Sequence, residues 1–232
     1  MLDKTLVRKL YFEDNKNMLE ITKMLNCHYY DIFNIIYYDK LGSRQYDKLN
    51  YGKDQSMKQA VSLEFAKSIN AKTILDVYAG RKSMWKDKGY RIVTNDIDKT
   101  AEVDFHMDAD KFVSKIYSEK KKFDIVDLDP YGSAFQCIPT AVKLIKKGLI
   151  VSYGDYNNWR FHRYKIIVAR YGNFKDIKNY KDFEDVMILH TMYLAEVYGK
   201  VKLEIWKFFK TSNNFFRVYY KIKEKINWTS LN

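Results

Sequence analysis

Residues 123–155 read FDIVDLDPYGSAFQCIPTAVKLIKKGLIVSYGD. The first run, FDIVDL, is short, apolar and β-branched, which reads as a buried strand. It stops at Asp129-Pro130-Tyr131-Gly132-Ser133, a cluster of chain-turning residues. Helical spacing follows from Ile138 to Lys147, and GLIVSYG then reads as a second strand. Strand, helix and strand in this order call for a parallel sheet with helices against its faces. Upstream, a helix to Ile69 precedes the strand TILDVY (73–78), a helix over SMWKDKG (83–89) and the strand RIVTNDI (91–97). The segment DFHMDADKFVSKIY (104–117) opens as a further strand. Downstream, a helix over 183–198 gives way to VKLEIWKFFK (201–210) and FFRVYYKIKE (215–224). These two alternate at strand period and are joined by TSNN, a hairpin signal.

Residues 3–41 are different in kind. They read as three short helices, with apolar residues at Leu6, Val7, Leu10 and Tyr11, at Met18, Ile21 and Leu25, and at Ile32, Ile35 and Ile36. Asn26 and Cys27 make a tight turn between two of them, the spacing of a helix-turn-helix. The helix after that turn, HYYDIFNIIYYDK, carries an acid at Asp31 where phosphate contacts favour Lys or Arg. DNA reading, packing, dimerisation and contact with an RNA end all stay open for it. A polar link, GSRQYDKLNYGKDQ, follows, so the expected domains are a helical unit over 1–48 and an α/β domain over 49–232.

The chain has 232 residues, 41 Lys+Arg against 29 Asp+Glu, and a net charge of +12. With 47% hydrophobic residues and two cysteines it excludes disordered and disulfide-scaffold classes. No apolar run reaches the ~18 residues of a membrane span, and the charged start is no signal peptide, so a cytoplasmic protein without a membrane partner is expected. The charge is unevenly placed. Residues 1–50 hold 8 bases and 7 acids, whereas residues 156–181 hold seven bases and one acid. That segment interleaves Trp159, Arg160, His162 and Arg163 with further aromatics. Rings for stacking beside bases for phosphate suit an unpaired or flipped nucleotide, RNA or DNA.

The strand order resembles that of class I S-adenosylmethionine-dependent methyltransferases, a Rossmann-like fold whose mostly parallel seven-stranded sheet ends in an antiparallel hairpin. Ligands of open α/β sheets lie at the carboxyl ends of the strands, where backbone approach favours glycine. Asp76 and Gly80 fall there on the first strand. Asp96 follows Asp76 by 20 residues, where an acid can take both ribose hydroxyls. That feature also suits NAD, but Arg81, Lys82 and Ser83 follow Gly80 in place of the dinucleotide glycines. Asp108 ends the next segment and can accept from an adenine amine. Tyr78, Ile97 and Ala109, beside these residues on the chain, complete the expected cofactor set.

Methyl transfer to an exocyclic amine needs the nitrogen lone pair turned out of the ring and aimed at the donor. A carboxylate accepting one N–H, a backbone carbonyl held still by proline and an aromatic ring stacking a flipped base accomplish this. Asp129, Pro130 and Tyr131 supply them in order, and the chain has only two prolines. The histidines are too scattered for a metal site, so no metal is expected. Cys137 stands too far past Pro130 to be a cytosine C5 nucleophile.

The Asp-Pro-aromatic-Gly strand end, the Arg-Tyr-Gly of VARYGNF, the Tyr-Gly of VYGK and the closing hairpin resemble the tRNA guanine-N2 dimethyltransferase family over about residues 50–223. The resemblance implies S-adenosylmethionine as cofactor, Asp129 as catalytic acid or base, and Asp76, Asp96 and Asp108 as cofactor acids. It also implies an arginine before the first strand, where NYGKDQSMKQ offers only Lys53 or Lys58. GRKS replaces the family's glycine-rich loop, no counterpart of its C-terminal RNA-binding domain is expected, and a helix-turn-helix stands in front. Three expectations follow: a nucleobase N-methyltransferase acting on RNA guanine N2, one acting on an adenine or cytosine amine of DNA, or a non-catalytic helix-turn-helix regulator with a cofactor-binding core. Oligomeric state is not read from the sequence.

Overall fold

The computed structural model describes residues 2–14, 16, 18–27, 32, 35, 55–155, 158, 163–171, 180–212 and 215–226. The chain divides into two compact units, Met1–Asp47 and Lys48–Asn232. In the first, α1 (Lys4–Phe12) starts at Asp3, whose carboxylate accepts from the Thr5 and Leu6 amides at 2.8 and 3.2 Å. α2 (Met18–Leu25) ends at Asn26, whose left-handed φ of 45° turns the chain. Val7, Leu10, Tyr11, Ile21 and Ile32 are buried. Of the helix expected after that turn, only Ile32 and Ile35 are described, both helical. The rest of it, including Asp31, lies outside the described residues, as does most of the polar link.

The second unit follows the order α3 (Gln55–Ser68), β1 (Thr73–Asp76), β2 (Arg91–Thr94), α4 (Ala109–Ser118), β3 (Phe123–Leu128), α5 (Ile138–Leu144), β4 (Ile145–Tyr153), α6 (Tyr164–Tyr171), α7 (Tyr180–Leu194), β5 (Val201–Ser212) and β6 (Phe215–Lys225). The sheet runs β2-β1-β3-β4-β6-β5, with β2 to β4 parallel and β6 antiparallel to both neighbours. Every residue of β3 is buried, as expected of a central parallel strand covered on both faces. On one face α3 packs Val61, Phe65 and Ala66 over Ile74, Ile125, Ile150 and Tyr219. α5 packs beside α4 and against the π-helical turn Ala195–Gly199 that ends α7. Among the described residues no helix is long and apolar enough to cross a membrane.

Five local expectations are corrected. The sheet has six strands among the described residues, not seven. Residues 104–108 make one parallel bridge, Asn95 to Phe105, instead of a strand. Side chains take over the ladder there: the Thr94 amide donates to Asp104 Oδ2 at 2.8 Å and the Met107 amide to Asn95 Oδ1 at 3.0 Å. SMWKDKG forms turns rather than a helix, with Asp87 and Gly89 at φ of 62° and 82° and Trp85 drawn into the core. α5 stops at Leu144, because Ile145 already pairs with Phe123 in β4. The helix expected over 183–198 begins earlier, at Tyr180, and closes through Lys200 at φ 56°.

Gly148 lets α3 lie close on β4. A Cβ there would stand 2.7 Å from Phe65 Cζ and 3.0 Å from the Tyr220 carbonyl. Overpacking of this kind costs about 1–3 kcal/mol. Gly148→Ala is therefore expected to lower the melting temperature by about 2–4 °C per kcal/mol in a protein of this size, measured by calorimetry. An unchanged melting temperature would mean that α3 moves aside freely.

Candidate active site

Parallel register assembles the site. Asp76 on β1 stands beside Asp127 on β3, and Ser152 on β4 stands opposite Arg217 on β6. Strand periodicity puts Asp127 and Asp129 on the same face of β3 as Ile125, which faces α3. Four strands and one helix thus converge on a charged cluster at the carboxyl ends of the parallel strands.

Arg217 is wholly buried. Its Nη2 donates to both oxygens of the buried Asp127, at 2.8 and 2.7 Å, and its Nη1 donates to Ser152 Oγ at 2.8 Å. The same Nη1 lies 3.2 Å from Asp129 Oδ1. Nε donates to the Tyr219 hydroxyl, which shares a hydrogen bond with Ser62 of α3. Trp85 Nε1 adds a bond to Asp127 at 3.0 Å. From α3, the Lys58 ammonium hydrogen-bonds and ion-pairs with Asp129 Oδ2. Asp129 is 18% exposed, Pro130 is buried and Tyr131 is 98% exposed. Although burial opposes its charge, Arg217 and then Lys58 hold the Asp129 carboxyl below the ordinary range. Burial lowers the Lys58 pKa, and the Arg217 charge adds to that.

At the end of the first strand the expected cofactor acid is closed in. Asp76 is buried and accepts from Ser83 Oγ at 2.6 Å, so the serine of GRKS faces inward. Burial, followed by the Asp127 charge, pushes Asp76 up to about 8. Asp76 is then protonated in the fold at neutral pH, while in the unfolded chain it ionises near pH 4. The stability contributed is complete below that lower pH and is lost as pH rises toward 8. Asp76→Asn, which never ionises, is expected to flatten the fall in melting temperature between pH 4 and 8. An unaltered pH slope would show Asp76 ionised in the native protein.

Asp96 and its neighbours are more open. Asp96 Oδ2 accepts from the Gly80 amide at 2.8 Å and Oδ1 from the Asp98 amide at 2.9 Å, which fixes the carboxylate. Gly80 has a φ of 64°, a conformation that favours glycine. Ile97 is 71% exposed, an uncommon position for isoleucine. Asp108 caps α4 through the Asp110 and Lys111 amides, and Ala109 is the first residue of that helix. The Tyr78 hydroxyl lies 3.1 Å from Cys137 Sγ. Burial pushes that thiol up to about 11, which makes it a poor nucleophile. Of the basic segment, Trp159, Arg160 and His162 lie outside the described residues. Arg163 is exposed, and its amide donates to the Asn158 carbonyl at the start of α6.

The sequence reading missed Asp127, Ser152 and Arg217, and had Lys58 only as a substitute for an arginine before β1. The structure places Lys58 on Asp129 instead; Lys53 lies outside the described residues. At strand period Arg217 shares its face of FFRVYYKI with Lys221, so no local signal set it apart as a buried base.

A sheet of parallel strands with a terminal antiparallel strand pair, acids at the strand ends and an Asp-Pro-Tyr edge define a Rossmann-like methyltransferase core. Residues 78–229 match the model of N2,N2-dimethylguanosine tRNA methyltransferase, and the chain belongs to that family. Its fold is similar to Trm1 from Pyrococcus horikoshii, solved with S-adenosyl-L-methionine, at a TM-score of 0.58 and 15% identity over 73% of this chain. The chain spans 55% of the length of that protein. An O-methyltransferase from Bacillus cereus, solved with SAH, aligns over 93% of this chain and 95% of its own at 14% identity and a TM-score of 0.47. No curated protein matches the chain in sequence.

Proposed function

We propose that this protein transfers a methyl group from S-adenosylmethionine to the exocyclic amino group of a nucleobase in nucleic acid, with guanine N2 of tRNA as the acceptor. The observation that carries this reading is the β3 end, where a carboxylate held ionised stands two residues from a ring that is 98% exposed. Tyr131 stacks the extruded base, the Pro130 carbonyl accepts one N–H, and Asp129 accepts the other. Turned in this way, the amine presents its lone pair to the methyl group, and the proton it releases leaves through Asp129 or to water. Membership of the N2,N2-dimethylguanosine family supports guanine over adenine or cytosine.

The strand ends fit the cofactor. Asp96, oriented by two backbone amides, accepts the ribose hydroxyls, and Ile97 covers one face of the adenine. Asp108 and Ala109 meet its polar edge, and Gly80 lets the backbone approach. S-adenosylmethionine, when bound, supplies the electrophilic methyl group. Tritium transfer from labelled cofactor to tRNA, followed by nucleoside analysis, tests the reading. Labelled N2-methylguanosine is expected; label in N6-methyladenosine, in DNA, or in no polymer despite cofactor binding overturns it.

We read the two domains as 1–48 and 49–232, with nucleic acid held chiefly by the second. Half of the net charge lies in residues 156–181. Arg160→Ala with Arg163→Ala is expected to weaken tRNA binding more than deletion of residues 1–45 does. Two lost phosphate contacts on a single strand reduce the slope of log K against log salt by about 1.4, measurable by filter binding. The reverse ranking would assign binding to the N-terminal helices.

A further inference from the structure

We propose that Arg217 is a positioning residue for the reaction, fixing the Asp129 carboxylate through Ser152 and through direct ionic contact so that one oxygen stays aimed at the acceptor amine. The proposal rests on the reading of Asp129 as the acid that engages that amine. Arg217 reaches the site from the closing hairpin, roughly 90 residues further along the chain, and the β4–β6 register places it opposite Ser152.

Its four contacts divide the work. Both Asp127 oxygens take Nη2, so Asp127 balances the guanidinium charge and orients the fork. Nε is used by Tyr219. Nη1 is left to face Ser152 at 2.8 Å and Asp129 Oδ1 at 3.2 Å. The contact on Oδ1 is therefore completely buried on the arginine side and braced by three strands. The contact on Oδ2 is of another kind. Lys58 brings a single ammonium from the first turn of α3, and it occupies the oxygen that an incoming N–H donor would use. A fixed partner on one oxygen and an exchangeable one on the other is what an acid needs if it is to change hydrogen-bond partner without swinging away. Around Asp129, the ionisable groups are Asp127 on its own strand, Asp76 on β1, Arg217 and Tyr219 on β6, and Lys58 on α3. Arg217 is the largest influence favouring its charged form.

Removing Arg217 alone leaves Asp127 buried and uncompensated, so the test uses two variants. Arg217→Gln combined with Asp127→Asn keeps a hydrogen-bonded, neutral pair and takes away only the clamp. Arg217→Lys keeps the charge and loses the fork. The readouts are steady-state methyl transfer to tRNA against pH and titration of the Asp129 carboxyl by ¹³C NMR. In a folded double variant, kcat is expected to fall by about 10²-fold, the loss that misplacement by about 1 Å can produce, with KM for the cofactor unchanged. The Asp129 titration moves up, and the acid limb of the rate profile shifts to higher pH than in the wild type. Arg217→Lys restores the pH profile in part. An Asp129 titration that stays in place overturns the proposal, as does a folded double variant with wild-type kcat. A titration that moves in a protein whose wild type methylates no nucleic acid upholds the clamp and overturns the functional reading instead.

Discussion

Asp129→Asn is expected to lower kcat for methyl transfer to tRNA by about 10²–10⁴-fold, the usual contribution of a positioned acid or base. The substitution keeps the size of the side chain and changes what it offers. One carboxylate oxygen becomes an NH2 group, which can only donate and so repels the N–H of an acceptor amine. The Oδ2 side, where Lys58 now stands, and the Oδ1 side, where Arg217 stands, both lose a negative partner. Arg217 keeps Asp127, so the protein should remain folded. Lys58 is half-buried and close to the surface, and is expected to turn toward solvent. Single-turnover transfer with saturating cofactor measures the effect on chemistry, and calorimetry with the cofactor product separates it from binding. A variant that transfers methyl groups at the wild-type rate would remove Asp129 from the reaction.

Asp96→Ala is expected to weaken cofactor binding by two or more orders of magnitude while leaving the fold intact. Hydrogen bonds to a charged partner contribute about 1.5–3 kcal/mol each, and loss of two ribose contacts amounts to at least about 3 kcal/mol. A tenfold change in affinity corresponds to about 1.4 kcal/mol. Part of the loss comes from the loop itself. The Gly80 and Asp98 amides both donate to Asp96, so alanine removes one hydrogen bond between the β1 and β2 loops and one within the β2 loop, while the Ala79 amide still donates to the Asn95 carbonyl. Ile97→Ala separates the two causes, because it removes an exposed apolar face and none of those hydrogen bonds. It is expected to weaken binding by a smaller factor. Titration calorimetry of both variants decides the matter: unchanged affinity in Asp96→Ala would move the cofactor away from the β2 end.

Most of the strand and helix order was legible in the sequence, because each strand is a short apolar run bounded by a turn and each helix carries helical spacing. Expectation failed where side chains replaced backbone pairing. Residues 104–108 have a strand-like composition, yet Asp104 and Asn95 supply the hydrogen bonds that a ladder would have made. SMWKDKG has helical spacing, yet Trp85 leaves the helical path to reach Asp127.

The candidate site was legible only where it is local. Asp129, Pro130 and Tyr131 are consecutive, and Gly80, Asp96 and Ile97 fall at strand ends that can be counted along the chain. The sequence by itself therefore determined the class of fold, the Asp-Pro-Tyr turn after β3 and the acids that follow the strands. Tertiary structure alone decided which charges meet. Asp76 reads as a cofactor acid in sequence; parallel register sets it beside Asp127, and burial then favours its neutral form. Arg217 looks like one more base in a basic chain. Antiparallel pairing of β6 with β4 carries it under Asp129, and a buried guanidinium persists there because Asp127 neutralises it. Coulomb interaction depends on distance in space and on burial, and neither can be read from position along the chain.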